Sequence, residues 1–195
     1  AGAGLGEDLR AGRDCTIQFE QARAIIEAHG MKLNNIFMSC WPEIPLGKPD
    51  AEEKIDAWCR MVESLGRAGI PQLGWNFKPM GNFRTSSDIG RGGVTYSTFD
   101  YAEFMRNRPQ LYAPAIDEAT MWARMETFLQ VVIPVAEKAG VRMALHPDDP
   151  PVPEPLGGVA QICSTMEQFR RIFAAVPSSN HAMLFCQGCM TELLG

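Results

Sequence analysis

The sequence predicts an α/β fold of about four parallel strands joined by crossover helices, a partial (β/α)8 TIM barrel. Three observations point there. Segments with helical spacing alternate with short apolar runs, an order that implies parallel strands connected by helices. Glycine follows several of the helical segments, at Gly30, Gly69 and Gly140, where a left-handed residue commonly ends a helix. Two of the apolar runs close on side chains able to bind a metal, His146 and Cys186, and the C-terminal edge of such a sheet is where chemistry collects.

The elements follow in order. Residues 1–13 are Gly-rich and read as loose. Residues 16–29 carry Ile17, Ala24, Ile25 and Ala28 at helical spacing. Residues 33–39 read as a strand, and 41–49, with three prolines and a glycine, as a loop. Residues 50–68 form a helix with Ile55, Trp58, Val62 and Leu65 on one face. Residues 70–77 are the next strand. From 78 to about 115 no period persists, and a connection this long inside an α/β chain is usually functional. Residues 116–139 read as a helix bent near Pro134, and 141–145 as a buried strand. That strand stops at His146 because the run Pro-Asp-Asp-Pro-Pro follows, and proline cannot donate to a sheet ladder. Residues 147–158 are a loop, 160–164 a short strand, and 165–175 a helix with Ser164 as N-cap and Glu167 completing a capping box. Residues 182–186 are the last strand.

Four strands with a helix between each pair make about half of a (β/α)8 barrel. A flavodoxin-like sheet is the alternative, because strand order is not readable from the pattern. The chain opens on Ala1 rather than Met and stops at Gly195 just after a strand-turn signal. A single incomplete barrel domain over 1–195, truncated at both ends, is therefore expected, with 78–115 as a long active-site loop.

Composition narrows the function. The 195 residues are 46% hydrophobic and 21% charged, with a net charge of −5. The absence of a basic block argues against nucleic acid as a partner, and no apolar run approaches the roughly 20 residues that span a bilayer. Six cysteines in a chain of this size are too few for a disulfide scaffold, so a cytoplasmic location is expected.

His146 can bind a divalent metal or act as acid or base; the plain alternative is a histidine that hydrogen-bonds the Asp148 and Asp149 loop. Those carboxylates suit the role of acceptors for its second N–H. Cys186 is the next candidate, against the usual role of a buried cysteine as a small core residue. Cys189 makes a C-x-x-C with it, but one such pair is only a half-site for zinc or a redox dithiol. His181, at the start of the strand that Cys186 ends, lies on the opposite rim, and His29 sits at a helix end. In the long loop, Asn76, Arg84 and Thr85 are candidates to hold a substrate, with an arginine gripping a carboxylate.

The run His-Pro-Asp-Asp-Pro-Pro at 146–151, Leu-Gly-Gly at 156–158 and Phe-Cys-Gln-Gly at 185–188 resemble the metal-site region of the mannonate dehydratases, xylose-isomerase-like TIM barrels. Trp-Asn-Phe-Lys-Pro at 75–79, Arg84–Thr85 and residues 132–145 add to the likeness, which runs from about Thr16 to the end. The resemblance implies a hydro-lyase that converts D-mannonate to 2-keto-3-deoxy-D-gluconate in hexuronate breakdown, with Mn2+ or Fe2+ as cofactor. It implies His146 and Cys186 as metal ligands, with a second His, an Asp and a catalytic Tyr on strands beyond Gly195. The fragment alone is then expected to be inactive. A small-molecule sugar acid is the implied partner, and a homo-oligomer of the full-length protein stays open. The chain departs from the family at Lys78, where Met is usual, at Asn82–Phe83, where Asp-Trp is usual, and at Cys189, which replaces Ser or Thr. A sugar isomerase or epimerase on the same barrel, and a small non-catalytic metal-binding module, are the competing readings.

Overall fold

A computed structural model describes residues 4–107 and 112–194. The strands, numbered in chain order, form two sheets: four parallel strands, the first two being β1 (Ile36–Ser39) and β2 (Gln72–Asn76), make the main sheet, and an antiparallel pair makes a small one. The small pair is β3 (Ser86–Ile89) and β4 (Thr95–Thr98); the remaining strands of the main sheet are β5 (Arg142–Leu145) and β6 (His181–Met183). The main sheet runs β1-β2-β5-β6, every pair parallel. Neighbours in space follow the order of the chain, as in successive strands of a barrel, so the flavodoxin-like alternative, whose order doubles back, does not hold.

Helices α1 (Leu5–Arg10), α2 (Thr16–Glu27), α3 (Glu43–Leu46), α4 (Ala51–Arg67), α5 (Tyr101–Asn107), α6 (Glu118–Ala139), α7 (Met166–Ala175) and α8 (Gln187–Leu194) complete the chain. Helices α4 and α6 cover one face of the sheet. Trp58 and Phe128 from these helices meet Trp75 and Phe77 from the sheet, with ring centroids 5.1–5.9 Å apart in the pairs Trp58–Phe128, Trp75–Phe128 and Phe77–Phe128. Ile55, Trp58, Val62 and Leu65 are all buried along α4, on the face their spacing predicts.

Strand side chains alternate between faces, and the two faces differ. Leu73, Trp75, Met143 and Leu145 are fully buried against the helices. The opposite face carries the lateral row Phe37, Gly74, Ala144 and Ala182, joined by the strand register. Gly74 is required there: a Cβ would stand 3.0 Å from Phe37 and 3.1 Å from Leu184. Two residues further on, the same face presents Ser39, Asn76 and His146 at the C-terminal rim.

Several local expectations are corrected. The Gly-rich start holds a helix, docked by buried Leu9 and by the Arg10–Glu43 ion pair. The 16–29 helix forms, but Phe19 is its buried residue, and Ile17 and Ile25 are exposed. Residues 41–49 include the short α3. The 78–115 segment contains the β3–β4 hairpin and α5, while residues 108–111 lie outside the described part. Residues 160–164 form no strand, because side chains take the N–H groups a ladder would use: Asp148 accepts from Cys163 and Gln168 from Ser164. The capping box of α7 is Thr165 with Gln168, one residue later than Ser164 with Glu167. Strand β6 ends at Met183, so Cys186 follows it by three residues, and α8 occupies what reads as a turn.

Candidate metal centre

The rim is assembled by the ends of the parallel strands. Ser39 pairs in register with Asn76, and Trp75 with Leu145, which sets His146 level with Asn76. The His146 N–H continues the ladder by donating to the Trp75 carbonyl at 2.7 Å, and Leu184 N–H donates to Leu145 at 2.8 Å. Phe37, Ser39, Asn76, Lys78, Asn82, His146, Pro147 and Asp149 line a cleft of about 370 Å3.

The His146 ring is fixed on two sides. Its edge meets Phe37 with centroids 5.8 Å apart, and Nδ1 lies 2.7 Å from the Pro147 carbonyl. A carbonyl can only accept, so Nδ1 carries the proton and Nε2 keeps the lone pair. The expected acceptors, Asp148 and Asp149, are engaged elsewhere. Asp148 is buried and accepts from the Cys163 N–H at 2.8 Å and the Ser164 hydroxyl at 3.0 Å. Burial pushes its carboxyl above the usual carboxylate range, opposed by those hydrogen bonds and by Lys78. Asp149 accepts from Asn82 Nδ2 at 2.7 Å and from Arg84 at 2.9 Å.

Cys186 comes to the same place. One donor atom from each of His146, Cys186 and Cys189 lies within 4.8 Å of the others. Cys189 is the residue that the sequence reading set aside. The missing signal was α8: with Cys186 directly before the helix and its carbonyl accepting the Met190 N–H at 2.9 Å, a spacing of three brings both sulfurs to one side. Burial first, then the hydrogen bond and charge of Cys186, push the Cys189 thiol up to about 12.

The loop candidates are placed as follows. Asn76 lines the cleft, donates to Ser39 Oγ at 3.3 Å and buries its Oδ1 without a partner. Arg84 donates to Ser97, to Phe83 and to Asp149, tying the hairpin to the 146–151 run. The Thr85 hydroxyl accepts from the Asp100 N–H at 2.9 Å and reaches the Thr98 carbonyl at 3.5 Å, inside the hairpin. Lys78, absent from the sequence-based candidates, bonds Asn82 Oδ1 at 2.8 Å and the Asp149 carbonyl, so its ammonium borders the cleft. Burial lowers its pKa, against the pull of Asp148 and Asp149.

The donor chemistry fits a divalent ion: an imidazole with one free lone pair beside two thiols at an open rim. No helix among the described residues is long and apolar enough to cross a membrane.

A family model described as D-mannonate dehydratase (UxuA) matches residues 100–193, a stretch that contains His146 and Cys186. The mannonate dehydratase of Streptococcus pneumoniae (strain 70585) is 28% identical over 195 aligned residues, covering 86% of this chain and 52% of that protein. The crystal structure of mannonate dehydratase from Streptococcus suis serotype 2 superposes with a TM-score of 0.77 at 26% identity, over 90% of this chain and 52% of that one. D-psicose 3-epimerase from Clostridium cellulolyticum H10 matches with a TM-score of 0.55 at 16% identity, over 91% of this chain and 54% of that one, a likeness of fold alone. The chain spans about half the length of the curated relatives it matches.

Proposed function

We propose that this chain, a relative of the mannonate dehydratases in sequence and fold, carries metal-binding and substrate-binding residues of a hydro-lyase that converts D-mannonate to 2-keto-3-deoxy-D-gluconate in hexuronate (glucuronate) breakdown. The observation that carries the reading is the convergence of His146, directly after β5, and Cys186, three residues past the adjacent parallel β6, to within 4.8 Å at the mouth of the sheet.

His146 and Cys186 would hold a divalent ion, Mn2+ or Fe2+. Such an ion supplies Lewis acidity that stabilises the charge developing when a proton leaves the carbon beside a carboxylate, and that polarises a leaving hydroxyl. The chain's own residues do the rest of what is assigned here. The Pro147 carbonyl holds the Nδ1 proton, so Nε2 stays available as a donor. Lys78 lines the cleft and Arg84 reaches its wall at Asp149; the two would bind the sugar-acid carboxylate, Arg84 by exchanging Asp149 for it. Asn76, whose Oδ1 lacks a donor, would meet a substrate hydroxyl. Thr85 would contribute from the base of the hairpin, with 78–115 as the active-site loop. Six free thiols, Cys186 and Cys189 among them, suit a cytoplasmic enzyme.

The test is an assay of the protein expressed from its complete coding sequence, with D-mannonate and Mn2+ or Fe2+. Formation of a 2-keto-3-deoxy acid that disappears in Cys186→Ala supports the reading. An epimer or keto-aldose product refutes it in favour of a sugar isomerase.

A further inference from the structure

We propose that Cys189 completes a three-donor site, His146–Cys186–Cys189, which makes this chain select a thiophilic divalent ion of the zinc class over Mn2+. The inference rests on the metal reading of His146 and Cys186 and adds a ligand to it.

The geometry requires little adjustment. All three donor atoms lie within 4.8 Å of one another. A tetrahedral ion with bonds of about 2.3 Å to sulfur and about 2.0 Å to nitrogen sets its donors roughly 3.5–3.8 Å apart. Closing the gap takes at most about 1.3 Å per pair, within reach of a χ1 adjustment of either cysteine. Cys189 is 5% exposed and Cys186 half-buried, so the sulfurs form the wall of the rim. Cys186 stands directly before α8 and Cys189 in its first turn.

A second cluster, Asp149–Cys189–Glu192, shares the Cys189 sulfur. Asp149 accepts there from Asn82 and Arg84, and Glu192 is exposed, whereas His146 and Cys186 bring a nitrogen and a second sulfur to Cys189. Thiolate and imidazole donors suit zinc, whereas Mn2+ prefers carboxylate, carbonyl and water.

The test is titration of the reduced protein, expressed from its complete coding sequence, with Co2+, reading the sulfur-to-cobalt charge-transfer band, followed by displacement with Zn2+ and, separately, Mn2+. The wild-type chain should bind one equivalent. Cys189→Ser should halve the charge-transfer intensity, weaken Zn2+ by at least the roughly 10–100-fold that outer-shell changes cost, and narrow the Zn2+ to Mn2+ affinity ratio. If circular dichroism shows that Cys189→Ser is unfolded, Cys189→Ala takes its place. Wild-type intensity and affinity in a folded Cys189 variant, with loss in Cys186→Ser and His146→Ala, would overturn the three-donor site and leave the two-donor reading standing. A wild-type chain that binds neither Co2+ nor Zn2+ would overturn both.

Discussion

Replacing Asp148 tests the scaffold beneath the rim. Its side chain is 4% exposed. The carboxylate accepts from the Cys163 N–H at 2.8 Å and from the Ser164 hydroxyl at 3.0 Å, while its own N–H donates to the Cys163 carbonyl at 2.9 Å. Asp148→Ala keeps the backbone bond and strands a buried amide and a buried hydroxyl. At about 1–3 kcal/mol for each unsatisfied group, the gross loss is about 2–6 kcal/mol. Part of it is recovered because a carboxylate no longer has to be desolvated, the effect that raises the Asp148 pKa. The net expectation is a loss of about 2–3 kcal/mol. Asp148→Asn keeps an acceptor oxygen and should lose less than half as much.

The two variants also differ with pH. A raised carboxyl pKa favours the protonated form in the fold. That contribution is fully present below the ordinary value of 3.8 and is lost as pH rises through the folded value. The gap between wild type and Asp148→Asn should therefore shrink as pH rises from about 4 towards neutrality. Urea unfolding is the assay. With a slope of about 2–3 kcal/mol per molar, Asp148→Ala should lower the midpoint by about 1 M at pH 7. A midpoint unchanged in Asp148→Ala, or an Asn variant as unstable as the Ala variant, would refute the role of this carboxylate as the acceptor that anchors residues 163–164.

Three further outcomes can be checked. His181 is buried, with Nδ1 3.2 Å from the Val176 carbonyl, Nε2 unpartnered and burial lowering its pKa below 6.5; the stability it contributes is whole above 6.5 and is lost as pH falls from there through the folded value, so His181→Phe should flatten the pH dependence of unfolding on that side, and an unchanged slope would count against it. Trp58→Ala should cost about 3–5 kcal/mol, since the ring is fully buried against Trp41 and Phe128, whereas Trp58→Phe should cost much less because its Nε1–H has no acceptor to lose; thermal unfolding separates them. Gly158→Ala should lower the melting temperature by several degrees, because φ is +86° and a Cβ would stand 2.5 Å from the Tyr112 carbonyl oxygen.

What the sequence revealed depended on whether folding wrote an inside and an outside into it. Helix α4 was legible because one face is fully buried and the other is not. The β3–β4 hairpin was not, because seven of its eight residues are exposed: with no buried face there is no alternation to detect. Helix α1 is held by contacts with Glu43 and Lys54, partners more than 30 positions away that a local reading does not see. The capping box slipped by one residue because the Ser164 hydroxyl is taken by Asp148, which leaves Thr165 to cap. At the rim, His146 was visible because prolines stop its strand. Cys189 was not, because its nearness to Cys186 exists only once α8 is formed.

Asp148 and Asp149 show how two neighbours of like chemistry divide the work around His146. One carboxylate, Asp148, turns inward to the segment before α7, and the other, Asp149, turns outward to Asn82 and the hairpin. The inward one is sealed from water, and its hydrogen bonds matter at full strength. The outward one meets Arg84 with the two side chains 32% and 22% exposed, a setting in which an ion pair is worth about 0–1 kcal/mol. Every nitrogen of Arg84 has a partner in this arrangement, yet exchanging Asp149 for the carboxylate of an anionic ligand replaces one weakly held pair by another. Arg84 at the cleft's edge is thus occupied but not committed, while the support of the His146 loop is committed from below.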